Sequence, residues 1–165
     1  MLLIFQPAEE SPGGAKIICD TGVLAQYKVQ YVFGLHLWPA LEKGAVFSRV
    51  NELMSRASEV SVDIYGKSTH IGNAAAGIDA TAAAVEFYCQ ARQAEASLPA
   101  DTHRLLNFGL FNSGSVRNAL SAHAQMCGSL RTFRNDVFDT LKAELDLSRE
   151  LVDFVVYIDE HIRLS

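Results

Sequence analysis

Residues 5–10 read FQPAEE, the end of an apolar run that stops in a proline and two adjacent carboxylates. The apolar residues predict a buried strand over residues 2–6, and Pro7 ends it because proline has no backbone N–H to donate to a neighbouring strand. Adjacent carboxylates at a strand end can have two different roles, in which one binds a cation and the other accepts a proton from water. Glu9 and Glu10 are therefore candidate site residues, although the dipole of a following helix also favours carboxylates there.

A second apolar run repeats this arrangement. Residues 29–37 predict another buried strand, which brings His36 to its end beside Trp38. In open α/β sheets, ligands bind beyond the carboxyl ends of the strands. We therefore expect Glu9, Glu10 and His36 to lie around one point, with His36 as a metal ligand. The alternative is a packed or hydrogen-bonded core histidine.

The elements around these runs predict part of a parallel sheet. A short helix over residues 14–21, ended by Gly22, separates the two strands, and residues 45–49 predict a third strand. Helices cover both faces of a parallel sheet, and a segment of this size cannot supply them. We therefore expect residues 1–54 to form a partial parallel βαβ segment of a larger α/β sheet.

Residues 55–165 predict a separate unit, joined by the polar linker 51–58. Val60, Val62 and Ile64 alternate with polar residues, which is the period of a half-buried strand. The order βαββαβ is that of a ferredoxin-like α+β sandwich with a four-stranded antiparallel sheet. The predicted strands span residues 60–64, 105–111, 122–133 and 152–158, and the predicted helices span residues 79–96 and 136–150.

Each of these two helices has a predicted core face. Asp79 is placed to cap the first helix, because a carboxylate there accepts hydrogen bonds from the first free backbone N–H groups. Apolar residues recur at helical spacing behind it and in the second helix. The predicted core-facing residues are Ala80, Ala84, Phe87 and Ala91 in the first helix and Phe138, Leu141 and Leu145 in the second.

The composition excludes several classes of protein. With 165 residues, 49% of them apolar and 20% charged, the chain is one ordinary domain or two small ones. A net charge of −5 at pH 7 gives no support for nucleic-acid binding, and no apolar run reaches the roughly 20 residues that span a membrane. The first residues lack the features of a signal peptide, and Cys19, Cys89 and Cys127 form no CxxC pair. We therefore expect reduced thiols and a cytoplasmic location.

Three further polar residues lie where a binding site could use them. His70 ends the sequence GKSTH after the first strand of the second unit, Asn118 closes a polar turn, and Arg131 lies on a polar strand face. Each also has a simpler interpretation, namely a solvated loop histidine, a local turn asparagine and a solvent-facing arginine. No spacing argues for a site at the other histidines of this unit, His103, His123 and His161.

The motifs occur in the order IFQPAEE at residues 4–10, GGAK at 13–16, FGLHLWP at 33–39, GKSTH at 66–70, the Asn118 turn and GSLRTF at 128–133. Together they resemble the amidohydrolase branch of the M20 metallopeptidase family. The resemblance spans essentially the whole chain, and PAEE combined with GLHLWP is its most specific part. It implies hydrolysis of N-acyl amino acids or small peptide-like substrates with zinc or manganese as cofactor. It also implies a catalytic segment over residues 1–54 and a lid or dimerisation domain over residues 55–165.

For the first segment, the resemblance implies the metal chemistry. Glu9 resembles the general base that activates a metal-bound water, and Glu10 and His36 resemble ligands of the metal ions. The family also carries an HxCGHD cluster upstream and one more ligand histidine near the C-terminus, and neither occurs in this sequence. We therefore expect this chain to be a central fragment of such an enzyme.

For the second unit, the resemblance implies the contacts to the substrate. His70 resembles the lid histidine that reaches into the partner subunit's site and stabilises the tetrahedral oxyanion. Asn118 and Arg131 resemble the groups that hold the amide and carboxylate of the substrate, in a homodimer formed through the lid. The loop after His70 differs from the family, because residues 71–74 read IGNA where small residues usually lead to a proline.

Two other classes of function remain open. One is a non-catalytic ferredoxin-like interaction module that pairs with a second copy through an edge strand or a helix face. Residues 1–54 would then be a remnant or a cover. The other is a ferredoxin-like regulatory domain that binds an amino acid, which leaves Glu9, Glu10 and His36 without a common purpose.

The isolated 165-residue chain should be inactive and should bind divalent metal weakly or not at all, because Glu10 and His36 alone cannot complete a two-metal site. Calorimetry with zinc or manganese and a hydrolysis assay with N-acetyl amino acids measure these two properties. Robust turnover by this chain would contradict the inference that ligands are missing.

Overall fold

The computed structural model describes the backbone of residues 1–8, 14–151 and 155–159, and the side chains of these residues up to residue 147. The chain divides into two compact units, one of residues 1–54 and one that begins at Ser55. Within the described part, no helix combines the length and the apolar character needed to cross a membrane.

The first unit contains two short helices, α1 at Gly14–Asp20 and α2 at Val23–Gln26. Helix α1 confirms the helix predicted over residues 14–21. It is followed by Gly22, whose backbone is left-handed with φ 74° and whose N–H donates to the Cys19 carbonyl at 3.0 Å. The chain resumes helical geometry directly after this glycine, so α2 follows, which the sequence did not predict.

The strands predicted over residues 2–6, 29–37 and 45–49 do not occur in the described structure, so the predicted parallel βαβ segment is wrong for this chain. Apolar side chains of these runs are exposed, Phe5 by 89% and Leu35 by 95%. A strand is held by hydrogen bonds to neighbouring strands and by cover on its faces. The described residues of this unit provide neither, so the runs do not form strands.

The second unit is a mixed α/β structure built on an antiparallel sheet. Its elements are β1 Arg56–Tyr65, α3 Ala80–Ser97, β2 Arg104–Ser113, β3 His123–Thr132, α4 Asn135–Leu151 and β4 Val155–Asp159. The strands lie in the order β2-β3-β1-β4, and every neighbouring pair is antiparallel. Strand β1 begins at Arg56 rather than Val60, because the alternation extends back to the buried Ser58. Part of the predicted linker 51–58 is therefore strand.

Helices α3 and α4 pack against the sheet around one hydrophobic core. Phe87 of α3 is fully buried, and its ring meets the ring of Phe108 edge-on with centroids 6.5 Å apart. The core-facing residues predicted for both helices are all buried. Asp79 caps α3 as predicted, because its carboxylate accepts the Thr81 N–H at 2.9 Å. The strands contribute alternate residues to this core, among them Val60, Val62 and Ile64 of β1 and Ala124, Met126 and Leu130 of β3.

Helix α3 is also tied to the edge strand β2 through charged side chains. The Glu95 carboxylate accepts the Leu106 N–H at 3.0 Å, and the Arg92 guanidinium donates to the Leu106 carbonyl at 2.6 Å. Arg92 and Glu95 form an ion pair with each other. Both backbone groups of Leu106 are therefore occupied by α3, which closes this part of the sheet edge to other strands.

Leu141→Ala should destabilise the second unit by about 2–5 kcal/mol, because this side chain is fully buried and its loss leaves a cavity in the core. Leu147→Ala is a matched control, since it is the same change on the same helix at a side chain that is 52% exposed. Its expected cost is within about 0.5 kcal/mol. Urea unfolding followed by circular dichroism measures both, and equal losses would contradict the burial of Leu141.

Candidate functional site

The loop that follows β1 carries His70 and is closed by paired backbone bonds. Lys67 and Ile78 exchange N–H···O bonds of 2.8 and 2.9 Å, which bring the two ends of the loop together. His70 ends the extended part of the loop, and the 3₁₀ turn Ile71–Ala76 begins directly after it. The His70 backbone is therefore held at the start of a defined turn.

The same loop is joined to the segment that contains Asn118. The Ile71 N–H donates to the Asn118 carbonyl at 3.0 Å, and the Leu120 N–H donates to the Thr69 carbonyl at 2.9 Å. These two bonds make a short antiparallel bridge that includes His70. Two of the predicted site residues, far apart in the sequence, are therefore neighbours in the fold.

The His70 side chain is exposed, and its orientation is set by its own turn. Its Nδ1 accepts a hydrogen bond from the Gly72 N–H at 3.1 Å. Among the described residues, none is bonded to its other ring nitrogen, Nε2. That nitrogen is therefore available to a ligand.

A polar hollow of about 350 Å³ lies in the turn between β2 and β3, beside Asn118. Ser121 organises this turn, because its buried hydroxyl accepts the Gly114 N–H at 3.0 Å and donates to the His123 carbonyl at 2.6 Å. Gly114 adopts φ 69°, a left-handed conformation that glycine tolerates without strain. The polar side chains that line the hollow include Thr81, Ser113, Ser115 and Arg117. They suit hydrogen bonding to a polar ligand.

Arg131 lies at the other end of β3. It is exposed and lines a second open hollow, of about 420 Å³, with His103 and Phe133. A strand rises about 3.3 Å per residue, so Arg131 lies roughly 25 Å along β3 from His123. His123 is at the end of the sheet that carries the His70 and Asn118 segments. The structure therefore brings together His70 and Asn118 but not Arg131 within one chain.

A hydrogen-bonded cluster that the sequence did not predict lies on the sheet face away from the helices. His123 Nε2 and Asp63 Oδ1 are 2.8 Å apart, and Gln125 Nε2 donates to the same oxygen at 3.2 Å. The Tyr65 ring lies 5.0 Å from the His123 ring. The cluster depends on the β1–β3 register, which pairs Asp63 with Gln125 and Tyr65 with His123. Spacing along the sequence cannot reveal such a cluster, since its members come from two strands.

The metal ligands predicted in the first unit are described only in part. His36 is exposed, and its ring lies 5.7 Å from the Trp38 ring, while Glu9 and Glu10 lie outside the described residues. The described residues contain no group of three or more His, Cys, Asp or Glu side chains that could hold a metal ion. One exposed imidazole does not make a metal centre, so the described side chains do not fit a metal site by themselves.

A histidine loop after β1, joined by backbone hydrogen bonds to an asparagine turn before β3, occurs in a chain whose residues 1–148 match the model of peptidase family M20/M25/M40. The chain belongs to this family.

The curated relatives include two deacetylases of the same name. N-acetyldiaminopimelate deacetylase from Oceanobacillus iheyensis is 33% identical over 148 residues, which cover 88% of this chain and 40% of that protein. The protein of that name from Geobacillus thermodenitrificans is 30% identical over 148 residues, which cover 88% of this chain and 39% of that protein. The chain therefore spans about two fifths of the length of these relatives.

Solved structures agree with the fold. A proposed aminohydrolase from methicillin-resistant Staphylococcus aureus has a TM-score of 0.84 at 21% identity, over 96% of this chain and 43% of that chain. Aminobenzoyl-glutamate utilization protein from Klebsiella pneumoniae has a TM-score of 0.55 at 15% identity, over 68% and 29% respectively. At these identities the agreement concerns the fold alone.

Proposed function

We propose that this chain is part of a metal-dependent amidohydrolase that cleaves N-acyl amino acids to an acid and an amino acid. The observation that carries the proposal is the junction between the His70 loop and the Asn118 turn, in a chain of peptidase family M20/M25/M40. The names of the relatives, N-acetyldiaminopimelate deacetylases, support an acylated amino acid as the substrate class.

His70 and Asn118 act on the scissile amide in this proposal. His70 has a ring nitrogen without a partner among the described residues, and it faces solvent rather than the core. A hydrogen bond from this nitrogen to the carbonyl oxygen would strengthen as the oxygen gains negative charge, which lowers the barrier to attack. Asn118 lies next to it and has both a donor and an acceptor for the amide.

Arg131 holds the substrate carboxylate in this proposal. Its guanidinium is exposed beside a hollow of about 420 Å³, and a guanidinium can bind a carboxylate through two parallel hydrogen bonds. The roughly 25 Å between the two ends of β3 is too long for one acyl amino acid to touch His70 and Arg131 of the same chain. We infer that His70 of one subunit and Arg131 of the other serve one substrate.

The first unit supplies the water-activating group and part of the metal site. Glu9 is the proposed general base that accepts the proton of the attacking water. Glu10 and His36 are the proposed ligands of zinc or manganese, the cofactor of the complete enzyme. The family match, which covers residues 1–148 and so includes all three positions, supports these assignments.

The second unit is the proposed lid and dimerisation domain, residues 55–165, and residues 1–54 are a part of the catalytic domain. The strand order β2-β3-β1-β4 with two helices supports a ferredoxin-like sandwich for the lid. The three free cysteines, none of them disulfide-bonded, support a reducing compartment, and we propose the cytoplasm.

The lid dimerises, in this proposal, through the C-terminal half of strand β2. The backbone groups of Leu106, in the N-terminal half of the strand, are occupied by α3, which closes that half to a partner. The sheet pairing shifts between Phe108 and Leu110, and beyond this bulge the edge carries the exposed apolar residues Leu110 and Phe111. An open edge with apolar side chains is suited to pairing with a second copy of itself.

A chimera tests the activity. In the chimera, this chain replaces the matching segment of the Oceanobacillus iheyensis deacetylase. The chimera should release acetate from N-acetyldiaminopimelate in a metal-dependent reaction. His70→Ala should lower kcat about 10²–10³-fold with little change in KM, since it removes one donor to the oxyanion. Arg131→Ala should mainly raise KM, since it removes a contact present throughout the reaction.

Arg134→Ala is the control for Arg131→Ala, because Arg134 is exposed nearby and forms an ion pair with Asp136 in the first turn of α4. Arg134→Ala should leave both kcat and KM unchanged. A folded chimera without metal-dependent hydrolysis would contradict the proposed activity. Equal activity of His70→Ala and the unmodified chimera would contradict the role of His70.

The dimer has its own test. The chain should sediment as a dimer at micromolar concentration, and Leu110→Lys should convert it to a monomer because a charge would be buried between the two edges. Leu105→Lys is a matched control on the same strand, since Leu105 is 41% and Leu110 40% exposed. It lies next to Leu106 in the closed half and should leave the dimer intact. A chain that is monomeric at all concentrations, or equal effects of the two changes, would contradict this interface.

A further inference from the structure

The hydrogen bond between His70 and Gly72 determines the chemistry of the His70 side chain. A neutral imidazole carries hydrogen on one ring nitrogen and a lone pair on the other. Because Nδ1 accepts the Gly72 N–H at 3.1 Å, the lone pair lies on Nδ1 and the hydrogen on Nε2. The exposed nitrogen is therefore a hydrogen-bond donor and not an acceptor.

The backbone on both sides of His70 restrains this geometry. On the N-terminal side the Thr69 carbonyl accepts the Leu120 N–H at 2.9 Å, and on the C-terminal side the Ile71 N–H donates to the Asn118 carbonyl at 3.0 Å. The ring also lies close to Gly72, where an added Cβ would be 3.2 Å from Nδ1 and 3.5 Å from Cε1. A contact of 3.2 Å is tighter than most contacts made by a Cβ, so a larger residue at position 72 would displace the ring.

We propose that Gly72 is a positioning residue that holds His70 as the Nε2–H tautomer. This inference rests on the proposed function, in which His70 acts on the carbonyl oxygen of the substrate. His70 then donates a hydrogen bond from Nε2 and keeps its proton. In this state it cannot act as a general base through Nε2, because that nitrogen has no lone pair to accept a proton. It also cannot bind a metal ion through Nδ1 without breaking the bond to Gly72.

Two consequences for the ligand follow from a fixed donor. The group opposite Nε2 must be an acceptor, such as a carbonyl oxygen or an oxyanion, and a ligand that presents only N–H or ammonium groups there is rejected. The donor is also oriented before the substrate arrives, so no reorientation of the ring is needed as negative charge develops.

Long-range ¹H–¹⁵N correlation NMR on the ¹⁵N-labelled 165-residue chain tests the tautomer directly. In a buffer of pH about 8.5, in which free imidazole is neutral, His70 should show a protonated Nε2 and a non-protonated Nδ1. Loss of these cross-peaks in His70→Gln identifies them among the five histidines of the chain. A His70 that is protonated mainly at Nδ1 would overturn the proposal.

Gly72→Ala should shift His70 toward a mixture of the two tautomers, because its Cβ displaces the ring from the Gly72 N–H. Gly109→Ala is the matched control, since among the described residues no atom beyond its two chain neighbours lies within 4 Å of the Cβ it adds, and it should leave the tautomer unchanged. If Gly72→Ala leaves a pure Nε2–H tautomer while the amide spectrum shows a folded chain, Gly72 is not the positioning residue.

The chimera separates this inference from the proposed function. Gly72→Ala in the chimera should lower kcat by a smaller factor than His70→Ala does, with KM unchanged. If the tautomer is as expected but His70→Ala does not reduce hydrolysis, the proposed function fails and the positioning by Gly72 stands. If His70→Ala reduces hydrolysis but the tautomer is not the expected one, the positioning by Gly72 fails and the proposed function stands.

Discussion

The antiparallel register between β1 and β3 is the constraint on which the second unit depends. It pairs Val62 with Met126 and Ile64 with Ala124, so that all four side chains face the helices. A shift of one residue would turn these side chains outward and the polar ones inward. The same register brings the loop after β1 and the turn before β3 to one end of the sheet. The contact between the His70 and Asn118 segments is therefore a result of the pairing that forms the core.

Much of the second unit could be predicted from sequence because its signals are local. Alternation predicts β1, and the helical spacing that includes Phe87 and Leu141 predicts the faces of α3 and α4. The first unit could not be predicted in this way. The apolar run over residues 29–37 has the composition of a strand, but a strand forms only where another strand supplies hydrogen-bond partners. Composition carries no information about whether such a partner is present.

The candidate site was predicted residue by residue but not in its arrangement. The motifs identify His70, Asn118 and Arg131, yet no local pattern indicates that the first two are neighbours and that the third lies roughly 25 Å away along β3. Distances of this kind follow from strand pairing, which joins residues far apart in the sequence. The His123–Asp63 hydrogen bond escaped prediction for the same reason, because its two residues belong to different strands.

The bonds that Arg92 and Glu95 make to Leu106 also bear on how the chain avoids misassembly. Unpaired strand edges are where partly folded proteins join into aggregates, and charged side chains beside an edge oppose such joining. Here two residues of a single helical turn cover the edge from within the same chain. Because Arg92 and Glu95 belong to the same chain as β2, this cover needs no second molecule. The chain therefore protects this part of its sheet edge at any protein concentration.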